Sequence, residues 1–139
     1  MSRIARLCLL ANGLMIFLSA SLFFAQQRSA NKPIPKIISL DSRGQDYLRV
    51  LGGPPETSTM RSGLVSLAPK KSVGKHSTED YEELIIILDG QAEMQITGGS
   101  TLQLARGFAA YCPPHTEHDV LNIGHDTLRY IYVVAKAHE

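Results

Sequence analysis

A polar group at the mouth of a very apolar segment is the first place in this sequence where chemistry could occur. His76, Thr78 and Glu83 precede the run 84–88, which reads LIIIL. Side chains two residues apart on a strand share a face, so an inward Glu83 would point the same way as Ile85 and Ile87. A lone carboxylate is costly to bury among aliphatic side chains. The segment therefore predicts either a metal ion or a cationic partner beside Glu83.

A second polar segment lies further along the chain. Residues 106–122 read RGFAAYCPPHTEHDVLN, and they place His115 and His118 after a Pro113-Pro114 bend. Whether these imidazoles meet Glu83 depends on the fold that carries both segments.

Short strand-like runs separated by turn signals must position these residues. The runs are residues 47–51, 60–68, 82–88, 91–97, 100–105, 108–112, 117–122 and 127–134. Many short strands at even spacing predict an antiparallel barrel or sandwich. Asp89-Gly90 and Gly98-Gly99 each predict a type I′ hairpin between the runs that they join.

The run 84–88 is apolar on both of its faces. One face should point into the barrel. Residues 26–46 are polar and are either a linker or a loose arm over the domain. The other face of the run must be covered, either by that arm or by a second subunit. The second possibility predicts a homodimer, which is the state that we expect.

Taken together, the two polar segments resemble the motifs of the cupin superfamily over about residues 60–135. The first motif of that family reads G-x5-H-x-H-x3,4-E-x6-G, and four residues occupy its last four landmarks: His76, Thr78, Glu83 and Gly90. The second motif reads G-x5-P-x-G-x2-H-x3-N, and four residues match it at the correct spacing: Gly107, Pro113, His118 and Asn122. His115 stands at the middle glycine of the second motif. The opening glycine of the first motif is not at its usual place, where Pro69 and Gly74 frame the turn instead.

The resemblance implies an all-β domain over residues 47–139, an antiparallel double-stranded β-helix or jelly-roll barrel with a metal inside. Carried over by position, His76, Glu83 and His118 are the metal ligands. Thr78 stands where the family has a further histidine, and a neutral hydroxyl is a feeble ligand. Two histidines and one carboxylate form the ligand set of a facial triad for Fe, and the same set could hold Zn, Mn or Ni.

Each of these ligand candidates also has a plainer structural interpretation. His76 on its own would be a surface residue at a strand edge. Glu83 could be an exposed partner of Lys75 or Arg129. Their positions in a two-motif pattern favour ligation.

Four further residues are candidates for the pocket around the metal. Thr78 is expected to be a pocket wall or a hydrogen-bonding partner rather than a ligand. His115 is either an exposed turn residue or an acid or base at the mouth of the pocket. Tyr130 and Tyr132 alternate with Ile131 on the last strand and are expected to line the cavity.

The first 25 residues have a different character from the rest of the 139-residue chain. Arg3 and Arg6 precede an uncharged apolar run, which predicts either a cleaved secretory signal or a helical membrane anchor. Removing this segment lowers the 14 basic residues to 12 against 13 acidic ones. That balance argues against nucleic acid as a partner. Cys112 is then the only cysteine, so no intramolecular disulfide can form.

The sequence thus predicts a periplasmic or secreted protein, tethered to a membrane only if residues 1–25 are retained. Its expected function is to bind a divalent metal and a small molecule, as a dioxygenase, lyase or isomerase would. The alternative is a non-catalytic binding or sensing barrel with a vestigial metal site. Fold alone does not choose between an enzyme and a binding protein.

Overall fold

The computed structural model describes residues 32–137, and within that range the chain forms nine strands and no helix. The strands are β1 (Tyr47–Gly52), β2 (Arg61–Leu67), β3 (His76–Ser77), β4 (Tyr81–Asp89), β5 (Gln91–Ile96), β6 (Thr101–Ala105), β7 (Ala109–Cys112), β8 (Glu117–Asn122) and β9 (Leu128–Lys136). All eight strand-like runs of the sequence correspond to strands. The structure also contains one strand that the sequence did not predict, β3, which has only two residues.

These strands form two antiparallel sheets. The five-stranded sheet has the order β1-β2-β9-β4-β7, and the four-stranded sheet has the order β3-β8-β5-β6. One buried cluster contains Ile85 and Ile87 from the first sheet and Met94 and Val120 from the second. The two sheets therefore face each other across a shared core, and the expectation of an all-β, antiparallel fold is confirmed.

Strand alternation decides which polar side chains point into this core. On β4, Glu83 is buried together with Ile85 and Ile87, whereas Glu82 and Leu84 are exposed. On β8, His118, Val120 and Asn122 are all buried. Because side chains alternate between faces with a period of two, Glu83 and His118 lie on core-facing sides of opposite sheets.

The predicted hairpin at Asp89-Gly90 is wrong. β4 already has β9 and β7 as its hydrogen-bonded neighbours, so no edge of β4 is left for β5. The chain instead crosses at this point to the other sheet. Gly90 has φ of 89°, and a Cβ added to it would lie 2.9 Å from the Leu128 Cα. The glycine is therefore needed for the crossing and for close packing, not for a hairpin.

The predicted hairpin at Gly98-Gly99 is confirmed as a pairing. β5 and β6 are antiparallel neighbours, with Gln95 opposite Thr101 next to the turn. The turn itself differs from type I′, which requires positive φ at both central residues. The Gly99 N–H donates to the Ile96 carbonyl, and of the two residues between them only Gly98 has positive φ.

The outer face of β4 is partly open to solvent. Leu84 is 39% exposed, and Ile86 and Leu88 are half-buried. Within the expected arm, residues 32–46 contain no strand before β1 begins. Cover by a second subunit stays a prediction.

The expected signal or anchor at residues 1–25 lies outside the described residues. In the part of the chain that the structure describes, no helix is long and apolar enough to cross a bilayer.

Candidate metal centre

Three side chains from three strands converge at one point between the sheets. His76 of β3 and His118 of β8 are direct cross-strand neighbours, and their ring centroids lie 4.4 Å apart. Glu83 approaches from β4 in the other sheet. One ligand atom from each of the three residues lies within 4.8 Å of the other two. The structure thus brings together the residues that the sequence predicted as ligands.

Both imidazoles are held in the same manner by backbone carbonyls. His76 Nδ1 lies 2.9 Å from the carbonyl oxygen of Gly74, and His118 Nδ1 lies 3.3 Å from the carbonyl oxygen of Thr116. A carbonyl can only accept, so each Nδ1 carries a proton and donates it. This leaves the Nε2 atom of both rings for the site. A metal-binding histidine is commonly oriented by this kind of contact on its second nitrogen.

Glu83 and His118 form a buried pair at the base of the site. His118 is fully buried and Glu83 is 7% exposed. His118 Nε2 lies 3.2 Å from Glu83 Oε2, but it has no aligned hydrogen-bond partner. The interaction between His118 and Glu83 is therefore an ion-pair contact and not an aligned hydrogen bond. Glu83 does not pair with Lys75 or Arg129, which contact Glu117 and Asp89 instead.

The surroundings of His118 favour its charged form. Burial on its own lowers the pKa of His118, but the neighbouring Cys112 and Glu83 raise it, and the net result is a pKa of about 10. In the metal-free protein the ring therefore carries a proton at neutral pH, next to the Glu83 carboxylate. A metal ion would take the place of that proton between the same two atoms.

Thr78 is not available as a fourth ligand. Its hydroxyl donates to the Pro113 carbonyl at 2.9 Å and accepts from the Thr116 N–H at 2.9 Å. The side chain is buried, and it joins the end of β3 to the loop that precedes β8. Thr78 thus lines the cavity and fixes the loop that carries Thr116, whose carbonyl orients His118.

A cavity of about 490 Å³ opens beside the three converging side chains. Tyr130 and Tyr132 of β9 both line it, as the sequence predicted. Burial raises the pKa of each tyrosine, with further increases from Glu83 near Tyr130 and from Tyr47 beside Tyr132. Both hydroxyls therefore stay protonated at neutral pH and can donate hydrogen bonds into the cavity.

His115 lies outside the cavity lining, so it is not a pocket residue. Its exposed ring is 3.9 Å from the Asp80 carboxylate, and its backbone has φ of 58°. The family motif has glycine at this position, and positive φ explains why glycine suits it. His115 is therefore an exposed turn residue.

Asn122, the last landmark of the second motif, has a structural role. Its side-chain amide donates to the carbonyls of Leu67 and Asp126, and its side-chain oxygen accepts from the Gly124 N–H. The residue is fully buried, so these three bonds satisfy its polar atoms. Asn122 thus ties the loop between β8 and β9 to the end of β2, and it is not among the residues that line the cavity.

Arg61 and Tyr81 line the cavity but were not among the predicted site residues. The signal was present in the strand pattern, because Arg61 lies four residues before the cavity-lining Val65 on β2. Residues at that spacing share a face of a strand. The run 60–68 contains no histidine or acid, so its residue types alone do not indicate a metal or catalytic site.

The donor set fits a divalent metal ion. His118 Nε2 is a buried ring nitrogen without an aligned partner, and it faces both the Glu83 carboxylate and the second imidazole. An unpartnered polar atom of this kind is rare in a protein interior. Nitrogen and carboxylate oxygen donors suit Fe, Mn, Zn and Ni.

Comparison with known proteins agrees with this architecture. A family model described as a cupin domain matches residues 63–134. No curated protein matches the chain significantly.

Three solved structures illustrate how similar folds compare with this one. A cupin 2 conserved barrel domain protein from Salinispora arenicola is 24% identical, with TM-score 0.61, covering 75% of this chain and 91% of its own. A Thermus thermophilus protein is 21% identical, with TM-score 0.63, covering 73% and 98%. The Cnp3 cupin domain of Schizosaccharomyces pombe is 17% identical, with TM-score 0.62, covering 71% and 72%. At these identities the likeness concerns the fold.

Proposed function

Because the chain belongs to the cupin family, we propose that it is a small-molecule-binding metalloprotein in which His76, Glu83 and His118 hold one divalent ion. Fe, Mn, Zn or Ni would suit this donor set. When bound, such an ion supplies Lewis-acid chemistry or the activation of dioxygen or water. Dioxygenase, lyase and isomerase reactions are the classes of activity that fit.

The observation that carries this proposal is the shared orientation of the two imidazoles. Each Nδ1 is engaged by a backbone carbonyl, which leaves the Nε2 of each ring free, and one ring nitrogen of each histidine lies within 4.8 Å of an oxygen of the one buried carboxylate. A histidine at a strand edge with only a structural role does not need its second nitrogen to be directed in this way. A stabilising ion pair would need only one of the two rings.

The cavity walls support a role in binding a small molecule. Val65, Ile85 and Val120 give the cavity an apolar lining that excludes water from a ligand. The hydroxyls of Tyr130 and Tyr132 supply hydrogen-bond donors to the oxygen atoms of that ligand. His76 is exposed, so the site is reached from its side of the cavity.

Elemental analysis of the purified protein tests the proposal. After loading with Zn²⁺ or Mn²⁺ and removal of excess metal, we expect one ion per chain in the wild type. Glu83→Ala and the more conservative Glu83→Gln should both lose that ion. Glu82→Ala is the matched control, because Glu82 is the exposed neighbour on the same strand.

Two results would contradict the proposal. One is a wild-type protein that binds no stoichiometric metal and keeps its stability in chelator, which would support the non-catalytic barrel with a vestigial site. The other is equal metal content in the wild type and in both Glu83 variants. Circular dichroism of each variant establishes that the fold is retained.

Export is a further proposal, based on the apolar segment at residues 1–25. Mass spectrometry of the chain recovered from the periplasm or medium tests it. A mature N-terminus near residue 22 or 26 supports a cleaved signal, and an intact N-terminus in the membrane fraction supports an anchor.

A further inference from the structure

Arg61, at the start of β2, is the only lysine or arginine among residues 32–137 that lines the cavity. It lies opposite Val134 of β9, and Val134 lies opposite Glu83 of β4. Arg61 and Glu83 therefore occupy one row of the five-stranded sheet with a single strand between them. Adjacent strands are about 4.8 Å apart, so the two Cα atoms are separated by about 10 Å.

The side chain of Arg61 is held in place along its length. Its stem crosses Gly53, where an added Cβ would lie 2.8 Å from the Arg61 Cγ. Its guanidinium carbon lies 4.5 Å from the centre of the Tyr81 ring, within range of a cation–π interaction. An arginine that only improved solubility would need neither contact.

The guanidinium of Arg61 has no carboxylate partner in the described part of the chain. The acids within ion-pair distance of a lysine or arginine there are Glu56, Glu117 and Asp89, and each contacts a different cation. The planar guanidinium presents paired N–H donors that match the two oxygens of a carboxylate. A donor pair of this kind, stacked on a ring at the cavity wall, is positioned for an external anion.

The charges around the cavity also favour an anion once metal is bound. A divalent ion and Arg61 then outweigh the two carboxylates on the lining, Glu79 and Glu83. Next to Arg61 on the same face, the Tyr132 hydroxyl lies 3.0 Å from the Tyr47 hydroxyl and adds a neutral donor.

We propose that the cavity takes a small molecule bearing a carboxylate, that Arg61 binds this carboxylate, and that another oxygen of the same molecule faces the metal held by His76, Glu83 and His118. This inference rests on the proposed function, because it uses the metal as the second attachment point. Arg61 is then the residue that selects the substrate class.

Calorimetric titration of the zinc-loaded protein with a homologous series of dicarboxylates, from oxalate to adipate, tests this inference. Metal content is measured first for each variant. We expect at least one dicarboxylate to bind the wild type, and Arg61→Gln to weaken it about 10- to 100-fold, the range for loss of a charged hydrogen-bonded pair. The dicarboxylate affinity of Arg61→Lys should lie between those of the wild type and Arg61→Gln, because lysine keeps the charge but loses the paired donors.

Acetate and a second arginine provide the controls. Acetate reaches only one attachment point at a time, so Arg61→Gln should change its affinity much less than that of the dicarboxylate. Arg106→Gln should bind the dicarboxylate as the wild type does, because Arg106 is exposed and outside the cavity lining. Circular dichroism reports whether each variant is folded.

The outcomes of this experiment distinguish a failure of the carboxylate inference from a failure of the proposed metal site. Full metal content with equal dicarboxylate affinity in the wild type and Arg61→Gln overturns the inference and leaves the proposed function standing. Full metal content with no dicarboxylate binding, or tighter binding of inorganic phosphate than of any dicarboxylate, also overturns it. A wild type without metal overturns the proposed function and the inference together.

Discussion

Replacing Thr78 with valine tests whether this residue, which stands where the family has a histidine, is a metal ligand or a structural residue. Valine matches the shape of threonine but removes the hydroxyl, which makes one hydrogen bond to the Pro113 carbonyl and one from the Thr116 N–H. A buried hydrogen bond contributes about 0.5–1.5 kcal/mol net, so the loss of two should lower the free energy of unfolding by about 1–3 kcal/mol. Metal content should stay at the wild-type level, because the hydroxyl is already engaged by the Pro113 carbonyl and the Thr116 N–H.

The assay is urea unfolding in the presence of chelator, since bound metal would add its own stabilisation. The midpoint should fall without a change in slope. Thr78→Ser keeps the hydroxyl and should recover most of the loss. A Thr78→Val protein with wild-type unfolding free energy but much weaker metal binding would refute the reasoning, because it would make the hydroxyl a ligand.

The remaining predictions concern a structural amide, the protonation of the site and the subunit state. Asn122→Ala should lower the free energy of unfolding by about 2–4 kcal/mol, because three buried hydrogen bonds are lost. A change below about 0.5 kcal/mol in urea unfolding would show that the fold does not need the Asn122 amide. The His118 pKa is raised from 6.5 to about 10, so its contribution to the stability of the metal-free fold should be complete below pH 6.5 and lost as the pH rises through about 10. For the same reason, calorimetric metal affinity should rise about tenfold per pH unit between about pH 7 and 10, and a flat profile would show that no proton is displaced. If the outer face of β4 is a dimer interface, light scattering should give a dimer at micromolar concentration and Leu84→Lys should give a monomer, whereas a wild-type monomer would rule the interface out.

The strands could be predicted from the sequence because each one carries a local pattern. On β5, Ala92 and Met94 alternate with polar residues, and both are fully buried in the structure. The convergence of His76, Glu83 and His118 could be anticipated only through the family motifs. No short sequence pattern predicts that β3 pairs with β8 or that β4 faces them from the other sheet.

The errors came from features that depend on tertiary structure. Asp89-Gly90 has strong turn chemistry, but the partners of β4 on both sides decided where the chain went next. For His115 the sequence left two interpretations open, and its positive φ and exposed position beside Asp80 agree with the turn residue rather than the pocket acid or base. Arg61 was overlooked because its role depends on neighbours from β4 and β9 that no short window of sequence contains.

Anomalous diffraction from crystals grown with Mn²⁺ or Zn²⁺ tests most directly whether two imidazoles and one carboxylate hold one ion in this protein. We expect a single strong anomalous peak at about 2.0–2.3 Å from the Nε2 atoms of His76 and His118 and from the Glu83 carboxylate. A peak bound through Nδ1, a peak at another group of residues, or no peak at this position in metal-saturated crystals would contradict it.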